Sequence, residues 1–177
     1  AYDQLHLDKV LWIIAPNPPH KLGKPITPID QRIAMVKTAI DGDEMFALSR
    51  VDIDRPGPHY VLDTMLILHD HYPDDSLVFI MGGDSLRDLP NWHEPMKFIG
   101  QCSEIGVMRR PGEKFDLSQL KKDLPGIEKK VSFIEAPLLN FMQRPNRKNR
   151  RKYAYLLSLF VPRQQAQNPR LSATHPS

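Results

Sequence analysis

The sequence predicts an α/β protein built on a doubly wound parallel sheet. Three observations lead there. Short apolar runs alternate with amphipathic segments of helical period over the first 135 residues, and strands that alternate with helices assemble into a parallel sheet. The run at 77–81 is apolar at every position, as a strand covered by helices on both faces must be. It ends in Gly82-Gly83-Asp84, where the absent Cβ atoms let a ligand approach the backbone. That is the carboxyl end of a strand, the edge at which open α/β sheets bind ligands.

The elements follow in order. Residues 10–15 read as the first strand, stopped by Pro16, Pro18 and Pro19. Thr27-Pro28 opens a capped amphipathic helix carrying Ile29, Ile33, Val36 and Ile40 and ending near Gly42. Residues 46–51 form a strand, and 54–58 a turn-rich loop. A helix over 60–71 places Leu62, Met65, Leu66 and His69 on one face. After the strand at 77–81, a helical turn takes 86–89 and a short helix 96–99. The last strand, helix and strand occupy 104–108, 117–124 and 131–135.

The chain of 177 residues suits one domain, placed at 1–140, followed by a tail at 141–177. Its 41% hydrophobic and 25% charged content is that of a globular protein. The longest apolar run, 10–15, is far too short to span a bilayer. No basic n-region leads an apolar h-region at the start, so neither a membrane role nor a secretory signal is expected. One cysteine, Cys102, excludes an internal disulfide and a thiolate metal cluster. A reducing, cytoplasmic setting is the simplest reading.

The net charge of +3 conceals an asymmetry. Residues 141–177 hold eight Lys/Arg and no acid, which leaves 16 basic and 21 acidic residues in 1–140. A mildly acidic domain is joined to a basic tail of divergent or disordered composition. Within that tail only 153–161 is able to pack, as helix or strand.

Three loops at strand ends carry chemistry. The prolines of 15–21 stiffen a loop that presents His20 and Lys21, and a lysine is suited to phosphate; a proline-rich surface loop is the plainer alternative. The segment from Arg55 to Thr64 runs from a turn into a helix whose first N–H groups can hold an anion, or is an ordinary helix entry. Arg109 and Arg110 sit where another strand ends, either as phosphate contacts or as a solvated turn. In the central block, Asp84 can hold a ribose hydroxyl and Trp92 offers a flat face to a heteroaromatic ring. The seven histidines have no metal-ligand spacing, so no metal site is expected.

Taken together and in order, Ala15-Pro-Asn-Pro-Pro-His-Lys21, Gln31-Arg32, Arg55-Pro-Gly-Pro-His-Tyr60 with Asp63-Thr64, Gly82 to Trp92 and Arg110-Pro-Gly112 are far more specific. The chain resembles the bacterial nicotinate-nucleotide adenylyltransferases, nucleotidyltransferases with a Rossmann-like fold, over residues 1 to about 140. The resemblance implies adenylyl transfer from ATP to nicotinate mononucleotide, giving deamido-NAD and pyrophosphate in NAD biosynthesis, with Mg²⁺ accompanying ATP. By similarity, Gly82, Gly83 and Asp84 line the nucleotide crevice and Trp92 stacks on the pyridine ring. The backbone near Tyr60 and Val61 receives the nicotinate carboxylate, and Lys21 and Arg110 contact phosphate.

The family pattern departs here in three places. The family opens with a strand and a Gly-Thr-Phe-Asp-Pro-x-His-x-Gly-His loop, and this chain begins after that element. The sheet is therefore expected to lack its first, central strand, and no catalytic residue is assigned. The family's later Ile-Ser-Ser-Thr-x-Ile-Arg motif is replaced from Phe141 onward, through a reading-frame shift near codon 140 or a divergent tail. Val61 stands where the family commonly has Thr, which removes a hydroxyl from the carboxylate site. These departures predict weak or absent turnover for this chain. Two other readings stand beside the first: a sibling nucleotidyltransferase with another substrate, such as phosphopantetheine, and a non-catalytic protein whose basic tail binds nucleic acid. The second of these is disfavoured, and a homo-oligomer is compatible with the sequence.

Overall fold

The computed structural model describes residues 1–18, 25–110, 112 and 115–135, together with the backbone of 158–164. All five strands expected in the first 135 residues are present: β1 (Val10–Ile13), β2 (Phe46–Ser49), β3 (Asp75–Gly82), β4 (Glu104–Arg109) and β5 (Val131–Glu135). The helices α1 (Ile29–Ile40), α2 (Val61–His71), α3 (Gly83–Asp88), α4 (Pro95–Gln101) and α5 (Ser118–Asp123) lie between them. Short 3-10 turns occupy Leu89–Asn91 and Ile127–Lys129. One detail differs from expectation at the start of α1. Pro28 itself takes the cap position and no side chain caps the helix, so Thr27 does not serve that role.

The alternation of β3 explains its apolar sequence. Leu77, Phe79 and Met81 enter one core with Leu62, Met65 and Leu68 of α2, Leu86 of α3, Phe98 of α4 and Leu120 of α5. Val78 and Ile80 point the other way, into a second core with Leu5, Leu7, Val10 and Ile134. All five β3 residues are at most 1% exposed, which is the burial a central strand of such a sheet requires. In the second core, a Cβ on Gly106 would lie 2.6 Å from Leu5 Cδ1 and 2.9 Å from Ile134 Cδ1, so glycine lets the N-terminal segment lie flat on the sheet. The Gln4 side-chain amide donates to the Glu135 carbonyl at 3.0 Å and accepts from the Glu135 N–H at 3.0 Å. It thereby occupies part of the otherwise open edge of β5.

β1 pairs in parallel with β2, β3 with β4, and β4 with β5. The full order is β2-β1-β6-β3-β4-β5. Here β6 (Ser158–Gln164) comes from the basic tail, within and just past the stretch singled out as able to pack. It lies between β1 and β3, the central position expected to be without a strand, and it runs antiparallel to both neighbours. Its pairing with β3 covers Asp75 to Ile80, whereas its pairing with β1 is limited to Leu11, Trp12 and Ile13. Pro162, opposite Leu77, lies beyond the β1 pairing. Its missing N–H therefore leaves no ladder bond to β1 unmade. Residues 136–157 and 165–177, including the polar basic run, lie outside the described residues.

Candidate active site

The carboxyl ends of β1, β3 and β4 open on one edge of the sheet, and the loops that leave them carry most of the residues singled out above. At the end of β3 the two glycines differ. A Cβ on Gly82 would meet nothing within 4 Å, so this position faces open space. A Cβ on Gly83 would collide with the ring of Phe115. Gly83 is thus demanded by packing, and Gly82 leaves open space at the carboxyl end of β3.

Asp84 is highly exposed and lies 3.0 Å from Arg87 and 3.6 Å from Arg110. Two predicted nucleotide-binding residues, Asp84 and Arg110, are therefore neighbours, although they are 26 positions apart in the chain. The register explains this, because Gly82 of β3 pairs with Met108 of β4. The guanidinium of Arg87 also lies over the Phe115 ring, 4.6 Å from its centroid, a favourable cation–π position.

Trp92 follows the 3-10 turn and is partly buried. Its indole meets Phe79 edge-on at 6.0 Å and Phe98 at 5.4 Å between ring centroids. Phe79 and Phe98 are both 1% exposed, so the core fixes the plane of the indole. After it, Glu94 adopts left-handed backbone (φ 47°), an uncommon state for a residue other than glycine. The chain turns sharply there before α4. His93, between them, stacks on Tyr60 with centroids 4.1 Å apart and planes at 23°. That stack brings the start of α2 against the Trp92 loop. Tyr60 and Trp92, both assigned to the mononucleotide side, are thus joined through a residue that the sequence did not single out.

The entry to α2 is built on a buried ionic network. Asp52 is 4% exposed, and its Oδ1 accepts from Arg55 Nε at 2.9 Å and from the Thr64 hydroxyl at 2.8 Å. The remaining Arg55 nitrogens donate to the Pro58 carbonyl at 3.2 Å, the Tyr60 carbonyl at 3.3 Å and Thr64 Oγ1 at 3.3 Å. Asp63 lies 3.8 Å from the same guanidinium. Tyr60 caps α2 in extended conformation, and its carbonyl accepts the first helical N–H bond, from Thr64. The N–H groups of Val61, Leu62 and Asp63 have no carbonyl one turn back to reach. The Val61 side chain itself packs against the core.

A second set of contacts ties the loop after β1 to this region. Arg32 of α1 donates to the Ala15 and Pro16 carbonyls, both at 3.0 Å. A ring nitrogen of buried His59 lies 3.4 Å from the next carbonyl, that of Asn17, and its other nitrogen lies 3.2 Å from the Arg55 carbonyl. Two consecutive carbonyls are thus held by Arg32, and the third faces the His59 ring. Burial lowers the Arg32 guanidinium below the usual arginine range. His20 and Lys21, further along this loop, lie outside the described residues. Among the described residues no group of three or more His, Cys, Asp or Glu is placed to hold a metal ion. No described helix is long and apolar enough to cross a membrane.

Comparison with known proteins gives the family. Residues 1–170 match the cytidylyltransferase-like family. The chain belongs to that family. Its relatives include probable nicotinate-nucleotide adenylyltransferases. That of Thermomicrobium roseum is 44% identical over 137 residues, which are 77% of this chain and 64% of the relative. That of Gloeobacter violaceus is 38% identical over 141 residues, 80% of this chain and 66% of the relative. That of Roseiflexus sp. is 38% identical over 136 residues, 77% of this chain and 67% of the relative. The chain therefore spans about two thirds of the length of these relatives. Among solved structures, the Plasmodium falciparum nicotinic acid mononucleotide adenylyltransferase complexed with NaAD matches with a TM-score of 0.58 at 20% identity, over 76% of this chain and 63% of that one. At that identity the match establishes the fold. The resemblance read from the motifs is borne out by the named relatives, and the α/β nucleotidyltransferase fold by the structural match.

Proposed function

We propose that this member of the cytidylyltransferase-like family transfers the adenylyl group of ATP to nicotinate mononucleotide. The products are deamido-NAD and pyrophosphate, a late step in NAD biosynthesis. The observation that carries this reading is the meeting of Tyr60 with the Trp92 loop through the His93 stack. The stack brings the neighbour of Trp92 against Tyr60 at the start of α2, which supports a carboxylate anchor and a pyridine platform within one site. The names of the relatives support the same assignment.

In this reading the mononucleotide phosphate attacks the α-phosphorus of ATP in line, and pyrophosphate leaves with no covalent enzyme intermediate. The protein's task is to align two anionic substrates and to offset their charge. Gly82, Gly83 and Asp84 line the nucleotide crevice, Gly83 through its backbone alone because its Cα side is covered by Phe115. Arg110 and Lys21 supply cations to the phosphates. Trp92 supports the pyridine ring, and the first turn of α2, at Tyr60 and Val61, receives its carboxylate. Mg²⁺ would accompany ATP as part of the substrate and would offset phosphate charge. The setting is cytoplasmic, in keeping with a reduced and buried Cys102.

The test is pyrophosphate release from ATP, Mg²⁺ and nicotinate mononucleotide. Release that depends on the mononucleotide and falls in Trp92→Ala supports the assignment. Release with phosphopantetheine in place of the mononucleotide, or salt-sensitive nucleic-acid binding with no release, overturns it.

A further inference from the structure

Whether the mononucleotide carries an acid or an amide on its ring is decided at the first turn of α2, if that turn receives the group. A carboxylate has only acceptors, and two neighbouring N–H groups can both donate to it; a carboxamide turns an NH₂ donor toward one of them. Discrimination of this kind depends on where the N–H groups point, since Val61 brings no hydroxyl to help. The direction of that turn is set by what holds its entrance.

Arg55 holds it. Its guanidinium is largely buried, and all three nitrogens are engaged. They grip the carbonyls of Pro58 and Tyr60, the residues that lead into α2, and they reach Thr64 at the end of its first turn. Asp52 anchors the group from beneath and offsets its charge. Thr64 repeats the link, since its hydroxyl accepts from Arg55 and donates to Asp52. The Tyr60 carbonyl held by Arg55 belongs to the same residue whose ring stacks on His93. One grip therefore sets the anchor for the carboxylate and the spacing to the Trp92 loop.

We propose that Arg55 is a positioning residue for acid-over-amide recognition: without touching the substrate, it aims the first-turn N–H groups of α2 through the carbonyls of Pro58 and Tyr60. The proposal rests on nicotinate mononucleotide being the substrate. A lysine at 55 keeps the charge but cannot make the fork, because it is a point donor on a flexible stem.

The experiment is isothermal titration calorimetry of the full chain with nicotinate mononucleotide, nicotinamide mononucleotide and ATP separately. Wild type, Arg55→Lys and Thr64→Val are compared, and circular dichroism confirms that each is folded. The expected result is a fall of about tenfold in the acid-to-amide affinity ratio of Arg55→Lys, as for one well-aligned hydrogen bond lost, with ATP affinity unchanged. Thr64→Val moves the ratio the same way by a smaller factor, and it carries the test if the lysine variant does not fold. A ratio unchanged in the folded variants, or acid and amide affinities that fall together, overturns the positioning role while wild-type binding keeps the substrate reading intact. Wild type that binds neither mononucleotide overturns both.

Discussion

Gly83 and Phe115 are packed so tightly that a Cβ on the glycine would lie 2.1 Å from the ring's Cζ. The glycine meets the tip of the ring, and the ring is held by a stack on Phe133 at 5.4 Å and by Arg87 lying over it. Gly83→Ala is therefore expected to destabilise the fold by about 1–3 kcal/mol, the usual cost of overpacking. Gly82→Ala meets no neighbour and has φ −84°, which alanine adopts freely. Its stability should change by less than about 0.5 kcal/mol, while ATP affinity falls because the methyl group projects into the crevice. Urea denaturation and ATP titration of the two variants separate the roles.

Asp52→Ala removes the anchor of a buried cation. Arg55 would keep its carbonyl contacts but lose its close buried counter-ion, leaving Asp63 at 3.8 Å. Removing one partner of a buried pair costs about 3–5 kcal/mol. A loss of that size in unfolding free energy, measured by chemical denaturation, is expected. A variant within 1 kcal/mol of wild type, about the worth of an exposed pair, would show that the network is not held as described.

Trp92 has two duties that one substitution can separate. Its contacts with Phe79 and Phe98 are aromatic pairs of about 0.5–1.5 kcal/mol each, so Trp92→Ala loosens the core as well as the pyridine platform. Trp92→Phe keeps a ring in that position. It should remain within about 1.5 kcal/mol of wild type, as conservative apolar exchanges do, and should bind nicotinate mononucleotide more weakly with ATP binding unchanged. Equal mononucleotide affinity in Trp92→Phe and wild type would remove the indole from the pyridine site.

Cys102 is buried 1% exposed, and its thiol donates to the Phe98 carbonyl at 3.4 Å. Burial pushes its pKa up to about 12. The thiolate is the reactive form, so alkylation by iodoacetamide at pH 8 should be slow in the folded chain and fast in denaturant. The linked effect on stability has a definite sign. The unfolded thiol loses its proton first, near the ordinary value of 9.0, so the folded state binds more protons between there and about 12. Its contribution to stability is therefore intact below pH 9 and falls as pH rises through that window. Cys102→Ala should flatten that part of the pH–stability curve.

The fold was legible because each element announces itself locally. Val10 to Ile13, Phe46 to Ser49 and the β3 core are short apolar runs, and the helix periods of α1 and α2 are regular. β6 was visible only as a segment able to pack, since nothing local tells a chain which vacant position it will fill or in which direction. The site divides along the same line. Gly82, Asp84, Arg110 and Trp92 could be proposed as candidates from strand ends and motif order, and Tyr60 from the family resemblance. Asp52 could not, because its worth lies in Arg55, three positions on in the same loop, and in Thr64, twelve positions on in α2. His93 was hidden beside the more conspicuous Trp92; the signal, an imidazole next to an indole, was present but had no partner until Tyr60 was folded against it.

The direction of β6 has a practical consequence for anyone attaching a probe to this protein. Ser158 lies level with Ile13, at the edge where ligands are expected, and Gln164 lies level with Asp75 at the opposite edge. Gln164 therefore lies a strand's length from the carboxyl ends of β1 and β3. A fluorophore or affinity handle attached at Gln164 would start about a strand's length from that edge, whereas one attached at Ser158 would start at it.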